Sequence, residues 1–368
     1  MKILVAVNQS RVLYDFKREL VDALLARGDD VWLSFEEDFR ASYFEATRAK
    51  LVETPIDPRG IDPRKDLKLY FFYRKLLRQI KPDVALLFTI KPNVYCGQAC
   101  RSFSVPYLAT LSGLGAAVNS RGILGRVSTS LYRRGLKGAS RVFCQNESIV
   151  QRAISEKFAC EEQIRLVSGS GVDLQRFAYA DYPAPNAPII LLFVGRLMRD
   201  KGVAEFVECA RRLSARGVKF QILGAPERRC NEFKLVVEAQ KEGVVEYLGY
   251  SLDPRPYYRE ASAIVLPTYH EGLSNVLLEG AASGRPVLAS NVPGCAETFD
   301  EGRTGLGFQP RDVDALTQTV ERFLETSWNE RREMGRQGRE KVAAQFNRED
   351  VVKKYLQEID ENVTALRR

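Results

Sequence analysis

Two stretches of the chain carry residue types whose spacing suits the binding of a diphosphate. The first reads Leu192-Phe-Val-Gly195-Arg196-Leu-Met-Arg-Asp-Lys201-Gly202. A glycine at the end of an apolar run lets backbone approach a ligand closely, and Arg196 and Lys201, five residues apart, can neutralise a diphosphate. Cations beside a helix start oppose its dipole, so an anion is expected there. The second stretch runs Leu266-Pro-Thr-Tyr-His270-Glu271-Gly272-Leu273-Ser274-Asn275 and continues through Val276-Leu-Leu-Glu279-Gly-Ala-Ala. It predicts a strand ending at Pro267, a turn on Glu271-Gly272 and an apolar helix from near Ser274, whose free N–H groups can seat a diphosphate. Glu271 and Glu279 lie about 12 Å apart along a helix, too far for one acid/base pair but spaced to touch different parts of a long ligand. Each glutamate alone reads equally well as a cap or a salt-bridge partner. Glu279, inside an apolar run, needs a polar partner, which favours a ligand.

The same residue inventory excludes other chemistry. His270 is the sole histidine of 368 residues, so a His-rich metal site is impossible and a Ser-His-Asp triad would have to use it. The seven cysteines are scattered; the close pair Cys96 and Cys100 has no second pair or histidine beside it, and all seven read as reduced core thiols. No Asp-x-Asp stands in a suitable loop, so no metal is expected.

The elements that must position these residues follow a βα rhythm. Strands are expected at Lys2–Val7, Val31–Phe35, Val84–Phe88, Pro106–Thr110, Ser140–Cys144 and Ile164–Val167, with a helix over Tyr14–Arg27. Runs without polar alternation, such as Val84-Ala-Leu-Leu-Phe88, suit a parallel sheet buried on both faces. Three prolines within Tyr179–Pro188 read as an interdomain linker over 179–188. The rhythm restarts with strands at Ile189–Val194, Lys219–Leu223, Val244–Leu248, Ala263–Pro267 and Pro286–Ala289, and helices near 200–216, 230–241, 255–261 and 274–283. The organisation expected is a first domain over 1–178, a second over 189–349, and a terminal helix over 350–368 that crosses back to the first domain. Both are doubly wound α/β domains facing a central cleft, with ligands beyond the carboxyl ends of the strands.

Charge is distributed unevenly. The formal net charge is +8, but residues 1–145 hold 24 Lys+Arg against 14 Asp+Glu, while the rest hold 31 against 33. Residues 64–141 contain 15 basic side chains and two acidic ones, Asp66 and Asp83. Both Lys65–Lys81 and Arg121–Lys137 read as basic amphipathic helices, which points to an anionic membrane surface and away from nucleic acid. The bland alternative is that each helix packs its apolar side on a sheet and wears an ordinary basic surface. No apolar run approaches the roughly 20 residues of a membrane span, so a cytoplasmic protein at the inner face of the membrane is expected.

Gly195-Arg196 with Lys201-Gly202, the E-x7-E spacing of Glu271 and Glu279, and Val292-Pro-Gly-Cys-Ala-Glu297 with Gly302-Arg-Thr-Gly305 together resemble the large group of retaining glycosyltransferases with the GT-B fold. Asn8-Gln-Ser-Arg-Val-Leu-Tyr-Asp-Phe, Thr110-Leu-Ser-Gly113-Leu-Gly115 and Gly171-Val-Asp-Leu-Gln-Arg-Phe177 are similar to the branch that glycosylates polyprenol-diphosphate carriers or other bacterial surface glycans. The resemblance implies that Arg196 and Lys201 hold the diphosphate of a nucleotide-sugar donor, with UDP the expected nucleotide. Glu271 would face the donor sugar, the amides of Gly272, Leu273, Ser274 and Asn275 would touch sugar or phosphate, and Glu279 would accept the ribose hydroxyls. The base would lie near Gly224 and Gly249-Tyr250, although Tyr250 reads as well as a packed aromatic. His270 either contacts the donor or packs in the turn, and the first domain lacks the histidine that many members place near the donor sugar. Asn8, Ser10 and Gly113 are the acceptor-side candidates. No cofactor is implied beyond the donor co-substrate. The rivals are a sugar-nucleotide epimerase or hydrolase on the same fold, a transferase acting on a soluble acceptor, and a non-enzymatic scaffold.

Overall fold

The structure is a computed structural model that describes residues 1–58, 60, 62–113, 122–227 and 231–367, apart from the side chains of Leu124 and 363–367. Gly115 and Arg121, named above, and Cys230, one of the seven cysteines, lie outside the described residues. The strands are β1 Lys2–Gln9, β2 Asp30–Glu36, β3 Lys50–Glu53, β4 Val84–Phe88, β5 Tyr107–Leu111, β6 Arg141–Cys144, β7 Ile164–Leu166, β8 Ile190–Val194, β9 Lys219–Leu223, β10 Glu246–Tyr247, β11 Ala263–Leu266, β12 Val287–Ser290 and β13 Gly305–Phe308. The α-helices are α1 Ser10–Ala26, α2 Ala41–Glu45, α3 Pro63–Ile80, α4 Gly97–Ser102, α5 Ile123–Leu136, α6 Glu147–Ser155, α7 Val203–Arg212, α8 Glu232–Lys241, α9 Arg255–Glu260, α10 Asn275–Ala282, α11 Val313–Glu325, α12 Trp328–Gln345 and α13 Arg348–Arg367.

The chain forms two compact units, Met1–Ser170 with Glu349–Arg368, and Gly171–Arg348. The first unit holds a parallel sheet in the order β3-β2-β1-β4-β5-β6-β7, the second a parallel sheet in the order β10-β9-β8-β11-β12-β13. Every residue of β4, β5 and β11 is buried, as a sheet covered by helices on both faces requires. Strand order reverses between β1 and β4 in the first sheet and between β8 and β11 in the second. At such a reversal the two flanking loops leave in opposite directions and open a crevice at the carboxyl ends of the strands.

Helix α13 completes the first unit. Val351, Tyr355 and Ile359 are buried in the core made by β1, β2, β4 and α1. The Tyr355 ring lies 4.1 Å from that of Phe143 and 5.8 Å from that of Phe88, centroid to centroid, and its hydroxyl shares a 2.8 Å hydrogen bond with Thr110 Oγ1. The Lys17 ammonium, from α1, stands 4.7 Å from the centre of the same ring. Glu358, on the neighbouring turn of α13, pairs with Arg141 at 2.7 Å and with Arg165.

Four expectations are corrected. The proline-rich segment 179–188 is part of the second unit and not a linker between domains: the unit boundary falls at Ser170/Gly171, the Tyr182 hydroxyl donates to Ser262 O at 3.0 Å, and the Trp328 indole donates to Pro183 O at 2.7 Å. Prolines here set a path over a surface that fixes them with side-chain bonds. The helix expected over 200–216 is shorter, with 3-10 turns at Arg199–Lys201 and Ser214–Arg216 flanking α7. Strands β3 and β13 were absent from the expectation; both lie at sheet edges, where Lys50-Leu-Val-Glu and Gly-Leu-Gly-Phe need little β propensity. Cys160 is exposed, its thiol on Gln163 at 3.2 Å, whereas Cys96, Cys100, Cys144, Cys209 and Cys295 are buried thiols.

Tyr355→Ala should cost about 3–5 kcal/mol in urea unfolding, by leaving a cavity among Phe88, Phe143 and the Lys17 stem. Tyr355→Phe, which forfeits only the Thr110 bond, should cost about 1 kcal/mol.

Candidate functional site

The loops after β8 and β11 flank the strand-order reversal of the second sheet, and both fold the way their sequences direct. After β8 the Gly195 N–H donates to Leu223 O at 3.0 Å, and the chain turns through Arg199–Lys201 into Gly202, whose φ is +72°. A Cβ on Gly202 would overlap the carbonyl oxygen of Pro267, so only glycine lets this loop settle on the end of β11. After β11 the Tyr269 N–H and the Thr268 hydroxyl both donate to Asp200 O, at 2.9 and 3.0 Å. The turn is closed from behind by Gly294, φ +85°, where a Cβ would stand 2.7 Å from the carbonyl oxygens of Glu271 and Gly272. These fastenings bring Lys201 and Glu271 into an ion pair, with side chains only 20% and 16% exposed.

The remaining residues are distributed around that pair. His270 is exposed, with Nε2 3.4 Å from Asp200 Oδ2, and does not pack into the turn. Arg196 is half exposed and its guanidinium donates to Glu227 at 2.9 Å. Leu273 joins the hydrophobic core. Ser274 is the N-cap of α10: its hydroxyl accepts from the Leu277 N–H, while its own N–H is taken by Gly294 O at 2.7 Å and is not open to a ligand. Among the described residues the N–H groups of Asn275 and Val276, in the first turn of α10, have no protein acceptor, as expected for the start of a helix. One Glu279 oxygen accepts from the Tyr258 hydroxyl at 2.9 Å, so Tyr258 already supplies a polar partner to this carboxylate. Burial, and then the Glu279 charge, push the Tyr258 hydroxyl well above its ordinary pKa and keep it a donor. Burial, and then Glu271, likewise hold the Cys295 thiol protonated. Gly224 donates to Gly249 O at 2.8 Å and accepts from the Tyr247 hydroxyl, and Tyr250 beyond it is an exposed ring, not a packed one.

In the first unit, Asn8, Thr89 and Gly113 stand at the carboxyl ends of β1, β4 and β5. The Asn8 N–H donates to the Thr89 hydroxyl at 3.1 Å, and that hydroxyl donates to Asn8 Oδ1 at 2.8 Å. Ser10 differs from expectation: it is fully buried, with its hydroxyl on Asp38 at 2.6 Å, and Asp38 also takes the Arg11 N–H, which caps the start of α1. No group of His, Cys, Asp and Glu suited to a metal ion occurs among the described residues. Asp200, Glu205, Tyr269 and Glu227 were not anticipated. Asp200 and Tyr269 sit inside the quoted motifs but act through backbone atoms and a neighbouring helix, which spacing alone does not reveal.

Lys201→Ala strands the Glu271 carboxylate and should cost about 1–3 kcal/mol in denaturant unfolding. Adding Glu271→Gln should recover most of that loss, giving a coupling energy of the same size in a double-mutant cycle.

Residues 188–326 match the family described as Glycosyl transferases group 1, and residues 2–146 match Glycosyl transferase 4-like. The chain is 25% identical over 332 residues, 85% of its own length and 86% of the other, to the N,N'-diacetylbacillosaminyl-diphospho-undecaprenol alpha-1,3-N-acetylgalactosaminyltransferase of Campylobacter jejuni. It is 30% identical to the lipopolysaccharide core biosynthesis glycosyltransferase LpsE of Rhizobium meliloti, over 59% of this chain and 63% of LpsE. Among solved structures, Anabaena Alr3699/HepE in complex with UDP and glucose superposes with a TM-score of 0.79 over 98% of this chain and 100% of that one, at 15% identity. With both units matched and both sheets wound in this way, the chain is a glycosyltransferase of the GT-B fold, its second unit similar to the glycosyl transferases group 1.

Proposed function

We propose that the protein moves a sugar, with retention at the anomeric carbon, from a nucleoside diphosphate sugar to a polyprenol-diphosphate-linked or growing surface glycan, and does so at the inner face of the cell membrane. The observation that carries the donor half is the Lys201–Glu271 pair at the strand-order reversal of the second sheet, next to the unfilled amides that begin α10. Without donor, Glu271 neutralises Lys201. An arriving diphosphate offers more negative charge, accepts from the Asn275 and Val276 N–H groups, and draws Lys201 to itself. Glu271 is then released toward the sugar. Arg196, half exposed, supplies the second cation, and Glu279 takes the ribose hydroxyls. The exposed Tyr250 ring offers a stacking face to the base, which we take to be uracil.

The reaction needs no side-chain base. The bond from the anomeric carbon to the phosphate oxygen breaks, the acceptor oxygen bonds to the same face, and the acceptor proton passes to the departing phosphate oxygen. Lys201 and Arg196 stabilise the charge that builds on the leaving diphosphate.

The acceptor half is supported by the name of the Campylobacter relative, which acts on a diphospho-undecaprenol-linked sugar, and by the surface of the first unit. On α3, Leu69, Tyr73, Leu76, Leu77 and Ile80 face the core, yet Leu67 and Phe71 are 56% and 58% exposed, among the exposed Arg64, Lys68, Lys75 and Arg78. On α5, Tyr132 and Leu136 face inward while Ile123 and Val127 face solvent with Arg126, Arg134 and Lys137. Of the two acids of the basic segment, Asp66 is drawn inward to other partners, and Asp83 stands exposed at the start of β4. Asp66 is engaged by Lys91 at 2.7 Å and by the Tyr95 hydroxyl at 2.9 Å, and Asp83 accepts from the Lys2 N–H at 2.7 Å. An apolar pair ringed by cations is what an anionic bilayer surface takes up. No helix among the described residues is long and apolar enough to cross a membrane.

UDP should raise the Tm, while GDP and ADP should not, and Lys201→Ala should lower transfer turnover by more than about tenfold with the fold retained. Wild-type turnover in that variant would remove the donor assignment. Leu67→Ser with Phe71→Ser should reduce co-sedimentation with anionic vesicles by about tenfold or more, and unchanged sedimentation would move the acceptor to soluble glycans.

A further inference from the structure

The turn that carries Glu271 has a second attachment on its far side. The Tyr269 hydroxyl donates to Oε1 of Glu205, in the first turn of α7, the helix that starts two residues after Lys201. Glu205 is 9% exposed, and its other oxygen, Oε2, is buried without a hydrogen-bond partner among the described residues. A half-satisfied buried carboxylate is a poor choice for stability, even with the helix N-terminus favouring its charge. An apolar side chain of similar size would suit that position better if packing were its whole purpose. The aromatic ring is held as well: the Arg311 guanidinium stands 4.5 Å from its centre, on a residue whose backbone adopts φ +62°, a conformation uncommon outside glycine. Burial, and then the bond to Glu205, push the Tyr269 hydroxyl up to about 12, so it remains a donor across any working pH.

These contacts, with the two bonds to Asp200 O, fasten residues 268 and 269 to the segment 200–205 by routes that do not involve Lys201. The Lys201–Glu271 pair is the one tie between the loops that an incoming diphosphate must break. We infer that Tyr269 is a positioning residue: latched to Glu205, it holds the Glu271 turn in register while Lys201 exchanges Glu271 for the donor diphosphate. The inference rests on the donor reading given above. A turn that drifts on release of Lys201 would still admit the diphosphate, but would misplace Glu271 against the sugar. The loss therefore falls on the chemical step and not on donor binding.

The test is steady-state transfer and donor hydrolysis with the full chain, alongside thermal unfolding. Tyr269→Phe keeps the ring under Arg311 and removes the latch. Its kcat should fall by about tenfold or more, with the donor KM within about twofold. Glu205→Gln keeps an acceptor oxygen and should stay within about threefold of wild-type kcat. The double variant Tyr269→Phe/Glu205→Leu removes the stranded carboxylate; it should recover the Tm lost by Tyr269→Phe but not the kcat. A Tyr269→Phe enzyme with wild-type kcat overturns the inference, as does a double variant that regains kcat together with Tm, since the pair would then serve packing alone. Lys201→Ala in the same assay separates the two readings. Turnover lost there but kept in Tyr269→Phe overturns only the latch, whereas wild-type turnover in Lys201→Ala overturns the donor reading and the latch with it.

Discussion

The second unit is organised around a contact between two backbones. Gly202 lies directly against the carbonyl of Pro267, with no room for a side chain, and the loops after β8 and β11 meet along that seam. Once they meet, Asp200 O is in reach of Thr268 and Tyr269, Lys201 is in reach of Glu271, and α7 begins where Glu205 can take the Tyr269 hydroxyl. Charge complementarity alone would not produce this arrangement, because two long side chains on loops lose much of their attraction to entropy and water. The closeness of the main chains makes the ion pair worth forming, and the direct pairing of β8 with β11 sets the ends of the two strands side by side.

The first unit solves a different electrostatic problem. Its segment 64–141 is overwhelmingly basic, and a fold could have scattered the two available acids over the helix surfaces as neutralising partners. Instead Asp66 is turned toward Lys91 and Tyr95, and Asp83 toward the start of β1. What remains outside on α3 and α5 is a mixture of cations and large apolar side chains. Self-repulsion among the cations is the cost of that arrangement, and it eases when a negatively charged surface approaches.

Much of this was legible beforehand. Unbroken apolar runs such as Val84–Phe88 announced strands covered on both faces, and the glycine-to-lysine and glutamate spacings picked out the two loops that meet at the Lys201–Glu271 pair. Less legible was anything depending on which neighbour a side chain meets. Glu279 needed a polar partner on sequence grounds, but that Tyr258 supplies one is a contact between α9 and α10, 21 residues apart, and not the product of any local pattern. Ser10 sits at a strand end, where ligands gather, yet Asp38, 28 residues on, claims its hydroxyl. The apolar residues of α3 and α5 were correctly seen as helical, while their division between an inward and an outward set depended on the angle at which each helix rests on its neighbours. Proline content misled at 179–188, because it reports local stiffness and not whether the stiff segment is bound to something.

Helix α13 gives the fold a consequence for its own assembly. Residues 349–368 belong to the unit that residues 1–170 begin, so the second unit is complete in sequence before the first is. During synthesis the chain therefore presents a six-stranded sheet that can close at once, beside a seven-stranded sheet whose β4 and β6 flank still lacks the Tyr355 ring and the carboxylate that pairs with Arg141 and Arg165. That flank, apolar and cationic together, stays uncovered until α13 leaves the ribosome. Until α13 emerges the nascent chain is thus open to misassociation, and a chain cut before α13 would keep one sound half and one adhesive half.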